Sequence, residues 1–267
     1  SSTNKNGPAN RKDMVSRRAN RPIKFGAEMS MDIRDYGKDY VSREKYRYML
    51  VLKDHAKDFG ITSKISSKSA KVLIDTVEGI RLRMENKYNV KLKTLRSDGE
   101  AGLCGEEFET YCKKVGIAHI SDSTKQHWRL TARVDSHMKR IEHMGKCMLH
   151  HRGLPDSWLM EAEAYANFIV NDIPGKMLGG DETPNQALGI DFDFKNLHMF
   201  GSICYSKRKE NNRTRKWDKA QRYIFLGHEG DHVGCKCLNP LTNKISYLKH
   251  PIFVENDNIT GAWLYEM

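Results

Sequence analysis

The chain has 267 residues, 39% hydrophobic and 30% charged, which is enough to bury a core in one large domain or two small ones. No apolar run reaches the roughly 18–20 residues of a membrane helix, the N-terminus carries no apolar signal-peptide core, and seven prolines exclude a collagen-like or proline-rich chain. Lys plus Arg number 45 against 34 for Asp plus Glu, a formal charge of +11; that excess suits a polyanion, most simply nucleic acid, or else serves only to keep a basic protein soluble.

Residues 1–24 read as a basic flexible tail, with Arg17, Arg18, Arg21 and Lys24 crowded before the first apolar stretch. Such a tail is either a solvated linker or an arm that tracks a phosphate backbone. Ala27, Met29 and Met31 then alternate toward Asp32, the pattern of a short strand. Tyr46–Lys53 and Phe59–Ile65 read as two more strands of an antiparallel meander. Val72 or Leu73, Val77, Ile80 and Met84 recur at helical spacing after Ser69. Val90–Leu95 is expected to be a strand that ends at Arg96-Ser97-Asp98. A short helix over Glu106–Lys114 stops at Gly116, and Ile117–Ile120 is another strand.

Two longer helices follow. Val134, Met138, Ile141 and Met148 mark the first. Pro155 opens the second, which turns Trp158, Ala162, Tyr165, Ala166 and Ile169 inward. Residues 174–195, rich in Gly, Pro and Asp, read as a linker. Five short strands are then expected at His198–Tyr205, Tyr223–Gly227, Val233–Leu238, Lys244–Leu248 and Pro251–Val254, with a hairpin turn at Asn239–Asn243. Five strands in about 60 residues suggest a small β-barrel.

The six cysteines, Cys104, Cys112, Cys147, Cys204, Cys235 and Cys237, are scattered and read as reduced thiols of an intracellular protein. His228, His232, Cys235 and Cys237 are zinc-type donors. Their H-x3-H-x2-C-x-C spacing is not that of a usual finger, and ordinary barrel packing is the alternative. His150-His151 ends a helix and suits its terminal carbonyls better than a metal. The densest basic stretch runs through Lys207, Arg208, Lys209, Arg213, Arg215, Lys216, Lys219 and Arg222, either a solvated loop or a set of phosphate contacts. Asp32 and Asp98 end strands, and Asp135 stands one turn into a long helix. Carboxylates converging from such places can hold two Mg²⁺ ions that clamp the attacking and leaving oxygens of a phosphodiester. Solvated carboxylates are the plainer reading.

The order of pieces resembles the integrase of copia-type long-terminal-repeat retrotransposons. The resemblance runs through Met31-Asp32-Ile33, Tyr48–Asp54, Lys93–Asp98, Phe108–Cys112, Gly116-Ile117, Met138–Leu149, Gly153-Leu154-Pro155, Trp158 and Glu161–Asn171. It continues through Thr183-Pro184, Leu197–Gly201, Tyr223–Gly227, Leu238–Pro240 and Ile252–Val254. It implies an α/β fold, a ribonuclease H-like integrase core over 25–173, then the linker, a small SH3-like β-barrel over 196–256 and a tail over 257–267. It also implies DNA 3′-end processing and strand transfer with Mg²⁺ or Mn²⁺, a nuclear location, and assembly as a homo-oligomer or larger complex.

Carried over by position, Asp32 and Asp98 match the first two catalytic acids and metal ligands of that family. Asp135 stands where the family has Glu at the start of a helix. The family's usual spacing from Asp98 lands on Val134, and one inserted residue between Gly116 and Asp135 reconciles the two. Asp is one methylene shorter than Glu. Gly99-Glu100-Ala101-Gly102 replaces the Asn-Gly-Gly-Glu pattern after the second acid. His127–Ala132 replaces the Pro-Gln-Gln-Asn-Gly loop that holds DNA near the metals.

Trp128 could still stack on a base, and Arg129, Arg133, Lys139 and Arg140 could contact phosphate. Lys207, Arg208, Arg213, Arg215 and Lys216 extend that surface. The zinc-binding histidine–cysteine module that lies upstream in the family is missing from this sequence, as in a fragment or a shortened relative. Three functions follow from the resemblance: an active integrase; a degenerate, co-opted fold that only binds nucleic acid (DNA, or alternatively RNA) or serves as a structural module; or a ribonuclease acting on RNA–DNA hybrids.

Overall fold

A computed structural model describes residues 24–38, 40, 42, 44–121, 128–191, 193–207, 220–228 and 234–255. The first sheet begins as a meander of β1 (Met29–Asp35), β2 (Tyr48–Asp54) and β3 (Gly60–Ile65), all antiparallel. Helix α1 (Ala70–Tyr88) then crosses over, and β4 (Thr94–Ser97) pairs parallel to β1. Helices α2 (Ala101–Cys104) and α3 (Glu106–Val115) lead to β5 (Ala118–Ser121), parallel to β4. The strand order is therefore β3-β2-β1-β4-β5.

The two faces of this sheet follow from the period-2 alternation of strand side chains. Met29, Met31, Ile33, Leu50, Leu52 and Leu95 pack with Leu73, Val77, Ile80 and Met84 of α1 and with Phe108 of α3. Met49 and Val51 point the other way. They meet Val134 and Ile141 of α4 (Trp128–Arg152) and Met160, Ala166 and Val170 of α5 (Leu159–Val170). Ser30, Asp32 and Arg34 lie on this second face by the same alternation. Arg34 confirms it, pairing with Glu142 of α4 at 2.8 Å and with buried Glu163 of α5 at 3.1 Å.

Edge strand β3 is joined to the helices by a buried polar clamp. Gly60 N–H donates to Asn171 Oδ1 at 2.8 Å, and the amides of Asn167 and Asn171 donate to Gly60 O. His137 Nε2 lies 2.7 Å from Asn167 Oδ1. Only glycine permits this approach: a Cβ at position 60 would sit 2.3 Å from both Asn167 Oδ1 and His137 Nε2.

The second sheet is antiparallel, in the order β10-β6-β7-β8-β9. It comprises β6 (Ile203–Lys207), β7 (Ala220–Gly227), β8 (Cys235–Asn239), β9 (Lys244–Leu248) and β10 (Ile252–Val254). It shares a core with the helices, in which Phe200, Cys204, Ile224 and Phe225 pack with Trp158, Ala162 and Tyr165. The β7 bulge at Phe225/Gly227 brings Gly227, at φ 112°, against the Tyr165 ring; a Cβ there would lie 2.7 Å from it. Tyr165 Oη donates to His198 O at 2.6 Å, and Lys236 reaches Glu44 of the first body at 2.9 Å.

Several expected elements shift. The strand expected at Val90–Leu95 begins only at Thr94, because Val90 N–H bonds back to Met84 O and closes the end of α1 over Asn89. Residues 198–202 are not strand. Gly201 turns there at φ 78°, with Ser202 N–H donating to Met199 O. The stretch 174–195 contains short 3-10 turns at Lys176–Leu178, Gln186–Leu188 and Phe194–Asn196. Pro155 precedes the 3-10 turn Asp156–Trp158 rather than opening α5 directly. Leu149 and Val170, not Met148 and Ile169, are the fully buried positions of their turns. Among the described residues no helix is long and apolar enough to cross a membrane.

Candidate active site

Asp32 and Asp98 come together through strand pairing. Met29 aligns with Leu95 and Ser30 with Arg96. The same parallel offset carries Asp32 to Asp98, just beyond the end of β4. Helix α4 brings Asp135 to this end of the sheet. The Asp32 carboxyl is pushed up to about 7 by burial, then by the charges of Asp98, Asp135 and Glu100, although Ile33 N–H donates to Asp32 Oδ1 at 2.7 Å and works against the rise. Burial also raises Asp135, with a smaller contribution from Asp98, while Thr131 and Lys139 lower it.

Asp98 is held by the backbone around it. Its Oδ1 accepts from Glu100 N–H at 3.2 Å, and its carbonyl accepts from Ser97 Oγ at 3.1 Å and from Cys104 Sγ at 3.4 Å. Glu100, which the sequence comparison treated only as a departure from the family pattern, thus adds a fourth charge beside Asp32. Lys68 holds it at 3.0 Å. Among the described residues no lysine or arginine forms an ion pair with Asp32, Asp98 or Asp135. Also among the described residues, no three His, Cys, Asp or Glu side chains stand close enough to share a metal ion. The donor chemistry fits a hard divalent cation all the same: the acids offer only oxygen, and a positive charge would relieve the repulsion that burdens Asp32.

The remaining residues singled out in the sequence are dispersed. Asp135 lies about two turns into α4, not one, because the helix already begins at Trp128. The loop expected over His127–Ala132 is therefore helical from Trp128 onward, and Trp128 and Arg129 occupy its first turn. Arg133 donates to His55 O at 3.1 Å, so its guanidinium braces the end of β2. Lys139 and Arg140 are exposed on α4, and Lys207 is exposed at the end of β6. Arg208, Arg213, Arg215 and Lys216 lie outside the described residues, as does His232. His228 packs among Phe168, Phe225 and Tyr165.

Cys235 and Cys237 are buried, with Cys237 Sγ 3.6 Å from Cys204 Sγ. Burial pushes the Cys235 thiol up to about 11, and the contact with Cys204 together with burial pushes Cys237 up as well. All six cysteines are free.

A family model described as the retroviral polymerase SH3-like domain matches residues 202–261. The retrovirus-related Pol polyprotein from transposon RE1 of Arabidopsis thaliana is 25% identical over 221 residues, covering 81% of this chain. That from transposon TNT 1-94 of Nicotiana tabacum is 27% identical over 185 residues, covering 68%. Over most of its length the chain is thus similar to retrovirus-related Pol polyproteins of plant transposons. It spans 14% of the length of these Pol relatives. In fold, the chain is similar to a chain of the simian T-cell lymphotropic virus intasome, solved in complex with PP2A regulatory subunit B56 gamma. The TM-score is 0.52 at 12% identity, over 87% of this chain and 79% of that one. The expected α/β fold is there, a mixed sheet with helices followed by an antiparallel sheet in the SH3-like region.

Proposed function

We propose that this protein is an integrase-type DNA-binding module that cleaves and transfers phosphodiesters at Asp32, Asp98 and Asp135. The observation that carries the reading is the charge felt at Asp32: a half-buried carboxyl on β1 feels the charges of Asp98, Asp135 and Glu100. When bound there, Mg²⁺ or Mn²⁺ would supply charge neutralisation at the attacking and leaving oxygens. Asp32 and Asp98 would hold the ions from two adjacent strands, and Asp135 would close the site from α4. Lys139 and Arg140 on α4, with Lys207 and the basic run after it, would position the DNA backbone by charge. A homo-oligomer or larger assembly and a nuclear location are part of the proposal.

A second reading is favoured by two observations. Among the described residues the carboxylates are not drawn into a metal-binding group, and the third acid is the shorter Asp. On that reading the fold binds nucleic acid without cutting it.

Purified protein with Mn²⁺ and a labelled duplex end separates the two. Nicking or joining that falls at least 100-fold in Asp32→Asn and Asp98→Asn supports the enzyme. Equal activity in wild type and the double variant removes the catalytic assignment. Salt-sensitive binding without cleavage supports the module.

A further inference from the structure

The strand that carries Asp98 is tied to its neighbours by a buried hydrogen-bond relay. Ser97, fully buried, places its Oγ 2.9 Å from His119 Nε2 and donates to Asp98 O at 3.1 Å. His119 Nδ1 lies 2.5 Å from Glu109 Oε1. Each partner comes from a different element. Ser97 ends β4, His119 sits on β5, and Glu109 projects from α3. The Phe108 ring meets the imidazole edge-on at 5.1 Å and fixes its plane.

Counting protons shows what the relay does. Its three hydrogen bonds need three protons. Ser97 has one. The ionised Glu109 has none. The Ser97 hydroxyl can give its proton either to His119 Nε2 or to the Asp98 carbonyl, and a proton on Nε2 turns it to the carbonyl. With that Nε2 proton in place the Ser97 hydroxyl is free to hold the Asp98 peptide. The Asp98 carbonyl and its carboxylate hang on the same Cα, and the Glu100 N–H holds the carboxylate end at 3.2 Å. Fixing the peptide fixes the Cα from which the carboxylate hangs, and the Glu100 N–H sets its direction.

A similar trio stands on β1. Ser30 Oγ lies 2.5 Å from His55 Nε2, and His55 Nδ1 lies 2.7 Å from Glu28, which ties β1 to the turn after β2.

We propose that Ser97, His119 and Glu109 are positioning residues that aim the Asp98 carboxylate into the acidic site, with His119 Nε2–H as the deciding donor. The inference rests on the reading of Asp98 as a metal ligand. The test is a Mn²⁺ titration of the intact chain followed by the electron paramagnetic resonance signal of free Mn²⁺, with Tm in EDTA measured alongside. Gln at 119 places an N–H near the Nε2 position, whereas Asn reaches only the Nδ1 position. Ser97→Ala and His119→Asn are expected to weaken Mn²⁺ binding about tenfold, the scale of losing an outer hydrogen-bond partner of a metal ligand. Ser97→Thr and His119→Gln are expected to stay within about twofold of wild type.

Wild-type affinity in Ser97→Ala and His119→Asn, with Asp98→Asn impaired, overturns the relay and leaves the metal reading standing. So does equal weakening of His119→Gln and His119→Asn together with a lowered Tm in EDTA, since that marks a merely structural histidine. Absence of Mn²⁺ binding in the wild type, or unchanged binding in Asp98→Asn, overturns the metal reading and the relay with it.

Discussion

Asp32 and Asp98 stand at matching positions on two parallel neighbours, just past the paired residues Ser30 and Arg96. Antiparallel pairing would have sent the two acids to opposite ends of the sheet. The crossover through α1 makes β1 and β4 parallel, so both chains leave the sheet at one edge with both acids there. Burial and these neighbouring charges then keep Asp32 hard to ionise.

The clamp on β3 sets a pH limit on stability. Burial, helped by Lys53, drives His137 down to about 3 from its ordinary 6.5. The folded state therefore binds fewer protons than the unfolded chain between those values. Stability from this group is intact above pH 6.5 and is lost as pH falls toward 3. At pH 4.5 the loss is about 2–3 kcal/mol. Urea unfolding at pH 7 and pH 4.5 checks it. The difference between the two should shrink in His137→Gln, and an unchanged difference would exclude His137 as its source.

Gly60→Ala should be costly although Gly60 lies in an ordinary strand. The added methyl would meet the Asn167 and His137 side chains at 2.3 Å, and neither can retreat without breaking the clamp. A loss of about 2–4 kcal/mol is expected in denaturant unfolding. A loss below about 0.5 kcal/mol would mean the helices yield freely.

Lys64 lies between two acids, 2.6 Å from Glu44 and 3.5 Å from buried Glu161. Lys64→Met alone strands Glu161 and should cost about 3–5 kcal/mol. Lys64→Met with Glu161→Leu should recover most of that loss, because the uncompensated buried charge goes with its partner. A double-mutant cycle on thermal melts reads the coupling, and strict additivity would show that the two side chains act independently.

Tyr165 is one of the α5 residues on which the second sheet docks. Tyr165→Phe removes the 2.6 Å bond to His198 O and should cost about 1 kcal/mol. Gly227→Ala should cost more, about 2–3 kcal/mol, since it strains the φ 112° backbone and drives a methyl into the same ring. Equal, small effects on Tm in both variants would argue that this contact does not hold the two sheets together.

The helices and the meander were legible because burial imprints its period on the chain: Leu73, Val77, Ile80 and Met84 are all buried, at the spacing that marked them. Boundaries were less legible. The Val90 N–H is spent on the end of α1 and so is unavailable to β4, a competition that hydrophobicity does not record. Pattern alone also took Trp128–Ala132 for loop, yet α4 runs through them. Glu100 and the Ser97–His119–Glu109 relay carried no signal along the chain. Their partners are brought near by pairing between β4 and β5 and by the packing of α3, and residue spacing holds no information about either.

The amino-acid sequence by itself determined which face of each helix and strand turns inward, since that depends on the alternation of apolar and polar residues a few positions apart. It also set the excess positive charge. Only the tertiary structure decided that Asp32 feels the charges of Asp98, Asp135 and Glu100, and that Arg133 donates to His55 O just past β2. The reason is range: periodicity is a local property, whereas the field at a buried carboxyl sums over every charge that folding carries to within a few ångströms of it.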